Sequence, residues 1–220
     1  DLRTAASVPV GPVQRPRMFF VSPLPPVRSG VADYAARLLR ELGCHYDIEV
    51  VVDQPEVADP WVCANFPVRD LAWFEARSKA GVRVFYQMGN SPYHAHMFEL
   101  LHRHPGVVML HDSWLGAVRN WMAGECGDTH EFQRQLHASH GYAAVLHDLR
   151  HGRESSMNTW PVNLDVLENA EGVLVHSTHA LEQARAHFGE QVTRKFNVVP
   201  FPKALTDDDR RIARRVLGLA

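Results

Sequence analysis

Between residues 17 and 200 the chain alternates short, β-branched apolar runs with segments of helical periodicity, and no other feature restricts the fold as much. Met18-Phe19-Phe20-Val21 is apolar throughout, as a strand buried on both faces must be. The same reasoning predicts strands at 48–52, 61–64, 82–86, 107–110, 172–175 and 196–199. Between the first two, Val31, Tyr34, Ala35, Leu38, Leu39 and Leu42 recur at i, i+3, i+4, i+7, i+8 and i+11, one apolar helical face that stops at Gly43. Helices are also predicted at 69–79, at 97–103 before the Pro105-Gly106 break, and through the His-rich stretch 114–150. A last one carries Leu181, Ala184 and Phe188 and is closed by Gly189. Strands and helices in this order, with short connections, predict an α/β fold: an open, mostly parallel sheet with helices on both faces.

Composition sets outer limits. With 220 residues, 45% hydrophobic and 22% charged, the chain has the profile of an ordinary globular protein and can bury a large core. A formal net charge of −2 supplies no basic field for non-specific nucleic-acid binding. Cys44, Cys63 and Cys126 are far apart and form no CxxC pair, which supports neither a disulfide framework nor a cysteine zinc site. No apolar run approaches the ~18 residues of a membrane span. Residues 1–16 hold Pro9, Pro12 and Pro16 but no signal-peptide apolar core, and read as a flexible lead-in to a cytoplasmic protein. At the other end Thr206, Asp207, Asp208 and Asp209 followed by Arg210, Arg211, Arg214 and Arg215 complement a helix dipole over 206–217. The expected organisation is a lead-in at 1–16, one domain at 17–203, and a helix at 204–220 leading toward a further domain.

In an open parallel sheet, ligands bind beyond the carboxyl ends of the strands. The informative segments are therefore 22–30, 87–96, 111–115, 176–178 and 200–202. Ser29-Gly30 stands at a helix start, where free N–H groups and the helix dipole favour an anion; a plain β–α turn capped by Ser29 fits equally well. Neither GxGxxG nor a Walker A loop occurs. His111-Asp112 follows a strand directly, and an imidazole and a carboxylate there can hold a polar ligand or act as acid and base. The competing reading is a capping Asp112 beside a loop histidine. In the loop from Met88 to His94, Asn90 and His94 either project polar groups into the cleft or belong to a turn. His94/His96 and His102/His104 are i,i+2 pairs, while His137/His140 and His147/His151 have helical spacing. Zinc needs three or four convergent ligands, and no metal site is expected.

Four segments carry a resemblance. They are FFVSPLPPVRSGVADYAARLLREL at 19–42, YQMGNSPYHAHMFELLHRHPGVVMLHDSWL at 86–115, NAEGVLVHSTHALEQARAHFG at 169–189, and KFNVVPFP at 195–202. Together they make most of the stretch 17–202 resemble the N-terminal half of a family-4 retaining glycosyltransferase of the GT-B fold. The resemblance implies a Rossmann-like, acceptor-side domain that faces a C-terminal donor-binding domain of the same protein across a cleft. It implies transfer of a glycosyl group from a sugar nucleotide, as co-substrate, to a hydroxyl of a glycan, lipid-linked or small-molecule acceptor, with retention and without a metal or other cofactor. Ser29 and Gly30 would lie by the donor diphosphate and His111 by the transferred sugar, with Asn90, His94 and Asp112 lining the cleft. Two departures stand out. The family often has a second glycine beside Gly30, where this chain has Ser29 and Val31, and its proline–histidine–glycine turn is replaced by Pro200-Phe201-Pro202. Docking on a membrane surface stays open. The alternatives are a non-catalytic binding domain and a GT-B sugar-nucleotide epimerase.

Overall fold

The computed structural model describes residues 15–78, 81–128, 130–201 and 214–216. Its strands are β1 Arg17–Val21, β2 Asp47–Val52, β3 Val68–Asp70, β4 Arg83–Met88, β5 Val107–Leu110, β6 Gly172–Val175 and β7 Phe196–Val198. Among the described residues these seven form one sheet in the order β3-β2-β1-β4-β5-β6-β7, and every ladder is parallel. The helices are α1 Gly30–Leu42, α2 Pro60–Asn65, α3 Leu71–Arg77, α4 His96–Arg103, α5 Gly116–Glu125, α6 Glu131–His140, α7 Tyr142–His151, α8 Arg153–Thr159, α9 Leu164–Asn169 and α10 Thr178–Thr193. The chain is α/β with a Rossmann-like open sheet, as its alternating pattern predicts.

Period-two alternation in β1 divides the core. Met18 and Phe20 pack with Ala35, Leu39 and Val62 on one face, and Phe19 and Val21 with Phe74, Met97, Leu100 and Val166 on the other. Connections from β1 to β2 to β3 put α1 and α2 on the first face. Connections running the opposite way along the sheet put α3, α4, α9 and α10 on the second, as a single crossover hand requires. Phe20, Tyr86 and Phe74 are fully buried, and each such side chain contributes about 1.5–3 kcal/mol of burial free energy. Helices α5–α8, between β5 and β6, enclose a satellite core of Ala123, Phe132, Leu136, Ala144 and Val162. Arg119 of α5 is buried against the Phe98 ring and paired with Asp165, which ties this layer to α4 and α9.

Local sequence chemistry explains where the elements differ from the expected ones. The 61–64 run is helix α2 rather than a strand. Pro60 occupies its first position, and Asp59 Oδ1 accepts from the N–H groups of Trp61 and Val62 at 2.9 and 3.0 Å. A four-residue apolar run carries no period of its own, so the cap decides. The helix expected at 69–79 begins only at Leu71, because Val68–Asp70 pairs with Val50–Val52 as the edge strand and Asp70 then caps Trp73 N. Its far end, at Lys79, lies outside the described residues. The helical middle is divided into separate helices, with breaks after Glu125 and at Gly141. Gly189 interrupts α10 with φ 78° and ψ 175°, where the sequence marks a stop. The lead-in lies outside the described residues except for 15 and 16, and of the terminal helix only 214–216 are described, as helical. No described helix is long and apolar enough to cross a membrane.

Candidate functional site

The strand order reverses between β1 and β4, since the chain leaves β1 toward β2 and β3 and returns to lay β4 on the other side. Connections diverge above such a switch point and leave a crevice beyond the strand ends. The segments that converge there are the α1 N-terminus, the loop after β4, and the residue following β5.

Ser29 has extended backbone, and its Oγ accepts from Val31 N at 3.2 Å, a side-chain N-cap. A side chain at Gly30 would meet nothing within 4 Å, so packing sets no requirement for glycine at this position. Gly89, across the crevice, is different. A Cβ there would lie 2.9 Å from His94 Cε1 and 3.1 Å from both His94 Nε2 and Val31 Cγ2. Gly89 therefore lets the β4 loop press against the first turn of α1. Gly89→Ala is expected to destabilise the chain by about 1–3 kcal/mol, the usual cost of overpacking, because the His94 ring is buried and has little room to retreat. A urea melt within a few tenths of a kcal/mol of wild type would contradict this.

His94 is 1% exposed. Its Nδ1 faces Ser91 Oγ at 3.0 Å, and its Nε2 is buried without a hydrogen-bond partner. Burial is the main cause that lowers its pKa to about 4. His96 turns away and faces Asp53 through Nδ1 at 3.3 Å. Asn90 and Asp112 sit at the crevice rim, each tied into the scaffold. Asn90 N–H donates to Asp112 Oδ2 at 2.8 Å, and Asn90 Oδ1 accepts from Val118 N at 3.0 Å in the first turn of α5. These bonds hold the β4 and β5 loops together. A further support reaches the β5 loop from behind, where Asn163 Nδ2 donates to Ser113 O at 2.8 Å and Leu115 N–H donates to Pro161 O at 2.9 Å.

His111 stands at the end of β5, and its N–H donates to Met88 O at 2.9 Å, which extends the β4–β5 ladder. Its ring is engaged at both nitrogens: Nε2 lies 3.0 Å from Gln87 Oε1, and Nδ1 lies 3.2 Å from His176 Nε2. His176 Nδ1 in turn lies 3.1 Å from Val199 O. Tyr34, His176 and Phe201 complete an aromatic box, with the Tyr34 ring centroid 4.8 Å from His111 and 5.0 Å from Phe201. Burial first, then His176 and His94 beside it, push the His111 pKa down to about 3. The ring is neutral at physiological pH and suits hydrogen bonding better than proton transfer. Asp112 makes its bond to Asn90 rather than to His111, so the two adjacent residues do not form an acid–base pair.

Residue type alone does not mark Tyr34, Gln87, His176 and Phe201, although Gln87, His176 and Phe201 fall in the strand-end segments that the fold rule marks. Tyr34 reads from sequence only as part of the α1 core face. Several other histidines have partners of their own. The His147 and His151 rings are 4.7 Å apart, with His147 Nδ1 at 3.2 Å from Ser156 Oγ, and His140 is stacked on Phe188. Among the described residues no three His, Cys, Asp or Glu side chains are placed to hold a metal ion. Trp114 and Trp160 pack around His187 rather than forming an open surface, whereas Trp121 is partly exposed. A depression of about 750 Å³ lies at the opposite end of the sheet among Arg15, Arg40, Trp61 and Phe66. Its arginines are exposed and partnered, Arg15 with Gly43 O and Arg40 with the Trp61 ring, and it is remote from the switch point.

Comparison of the chain with known protein families and with curated proteins finds no match.

Proposed function

We propose that the crevice binds a sugar nucleotide and that the chain is the acceptor-side half of a retaining glycosyltransferase of the GT-B kind. The observation that carries the reading is the convergence at one switch point of a capped helix N-terminus with open space before Gly30, the contacting rings of His111 and His176, and an exposed rim. The four sequence segments that resemble family-4 glycosyltransferases supply most of these groups. In this reading the α1 N–H groups face the diphosphate and offset its charge as the leaving group departs. The sugar lies toward His111. Both His111 nitrogens are bonded within the protein, so a sugar hydroxyl would exchange with His176, the more accessible of the two partners, because Gln87 is fully buried. A second domain across the crevice would hold the nucleotide, and a hydroxyl acceptor would approach from the rim. The reading places the protein in the cytoplasm, where sugar nucleotides are made.

Titration of the isotopically labelled chain with nucleoside diphosphates and their sugar conjugates tests this. Shifts are expected at the amides of Ser29, Gly30, Val31 and Gly89. Gly30→Ala should abolish them while keeping stability or adding up to about 1 kcal/mol, since alanine is the better helix former. Shifts confined to other parts of the surface would overturn the reading.

A further inference from the structure

The geometry assigns His176, together with Gln87, a positioning role: they fix the tautomer of His111 so that Nδ1 carries its proton. The argument is a count of donors and acceptors along Gln87, His111, His176 and Val199. The last group is a carbonyl oxygen and can only accept, so His176 Nδ1 must be protonated to bond it. If His176 is neutral, its Nε2 is then an acceptor, and the 3.2 Å contact requires His111 Nδ1–H as donor. His111 Nε2 is left with a lone pair, and its neighbour at 3.0 Å, the Gln87 carboxamide, must present N–H rather than oxygen.

A half-turn of that carboxamide supplies the donor without moving any other atom, because its oxygen and nitrogen are nearly equal in shape. With Oε1 toward His111, Gln87 Nε2 is buried without a partner. The half-turn puts the carbonyl oxygen in that position instead, and an under-used oxygen is tolerated better than an orphan N–H. The opposite direction requires one more proton. His111 Nε2–H would donate to Gln87 Oε1, and His176 would donate from both nitrogens as an imidazolium packed between Tyr34 and Phe201. The neutral chain satisfies every bond without a charge in the box. Its consequence, which rests on the glycosyltransferase reading, is that a hydroxyl displacing His176 meets a donor at His111 Nδ1 and is recognised through its oxygen.

The tautomer itself is measurable without any ligand, so failure of the functional reading and failure of this inference are separable. Ring-nitrogen NMR of the histidine-labelled chain near neutral pH should show His111 protonated at Nδ1 with an unprotonated Nε2, in excess of about tenfold over the other form. His176→Phe keeps a ring between Tyr34 and Phe201 but removes the acceptor, and should shift His111 toward Nε2–H. His176→Gln, whose carbonyl can accept in place of the imidazole nitrogen, should restore Nδ1–H. A wild-type His111 protonated at Nε2 overturns the assignment whatever the variants do. An unchanged Nδ1–H form in His176→Phe overturns the role given to His176.

Discussion

Gly106→Ala is expected to cost about 3 kcal/mol or more, at or above the upper end of the usual range for overpacking, and to lower Tm by roughly 6–12 °C in a domain of this size. A Cβ at this position would sit 2.4 Å from Val84 O, 2.9 Å from Val84 Cβ and 3.0 Å from Val84 C. Two of those atoms are backbone in the middle of the sheet and cannot rotate out of the way. Relief requires β5 to move away from β4 where Phe85 faces Val107. It also disturbs the bond by which Glu171 N–H donates to Gly106 O at 2.8 Å. The damage reaches the crevice, since β5 carries His111 into reach of Gln87. Gly172→Ala is the control: its Cβ would meet Val107 Cγ2 at 3.8 Å, an ordinary contact, and should change stability little. Urea melts of the two variants decide the matter, and equal stability would remove the close-approach argument.

Gly106 also shows what the sequence conveys and what it withholds. Pro105-Gly106 reads locally as a break after α4. That it is the point where two strands touch depends on β4 lying beside β5, a long-range fact. The strands and the α1 face are legible because apolar period and caps are local signals. Trp61-Val62-Cys63-Ala64 misleads because four apolar residues fit either period, and the deciding Asp59 and Pro60 lie just outside the run. In the crevice, Ser29, His94 and His111 are legible from position after a strand or before a helix. Asn90 and Asp112 fall in the strand-end segments, yet their partners, Val118 N and each other, come from separate elements that only the fold brings together. Gln87 and Tyr34 look like core residues in sequence, and their contacts with His111 depend on register and on how α1 sits over the sheet.

Stability is expected to fall steeply as pH drops from about 6.5 toward 4, through histidines kept neutral by the fold. Burial is the first cause in each case. It lowers the pKa of His94 to about 4, of His111 to about 3 and of His140 to about 4, and it lowers those of His96 and His187 as well. In the unfolded chain these side chains titrate near 6.5. A depressed histidine pKa means that the unfolded state binds protons the folded state refuses. The stabilisation is therefore complete above about pH 6.5 and is lost as pH falls toward the folded values. Within that window each such histidine adds about 1.4 kcal/mol per pH unit to the slope, and three together give roughly 2–4 kcal/mol per unit after allowance for partial solvation. Against the 5–15 kcal/mol typical of a whole domain, unfolding is expected near pH 4.5–5. Urea melts from about pH 7.5 to 4.5 would measure the slope directly. His140→Gln should reduce it by about one histidine's share, because a glutamine oxygen can still accept from Val162 N, as His140 Nε2 does at 3.3 Å, but carries no ionisable ring. A flat profile across the window would show that these imidazoles are protonated in the folded chain, with their charges solvated rather than excluded by burial.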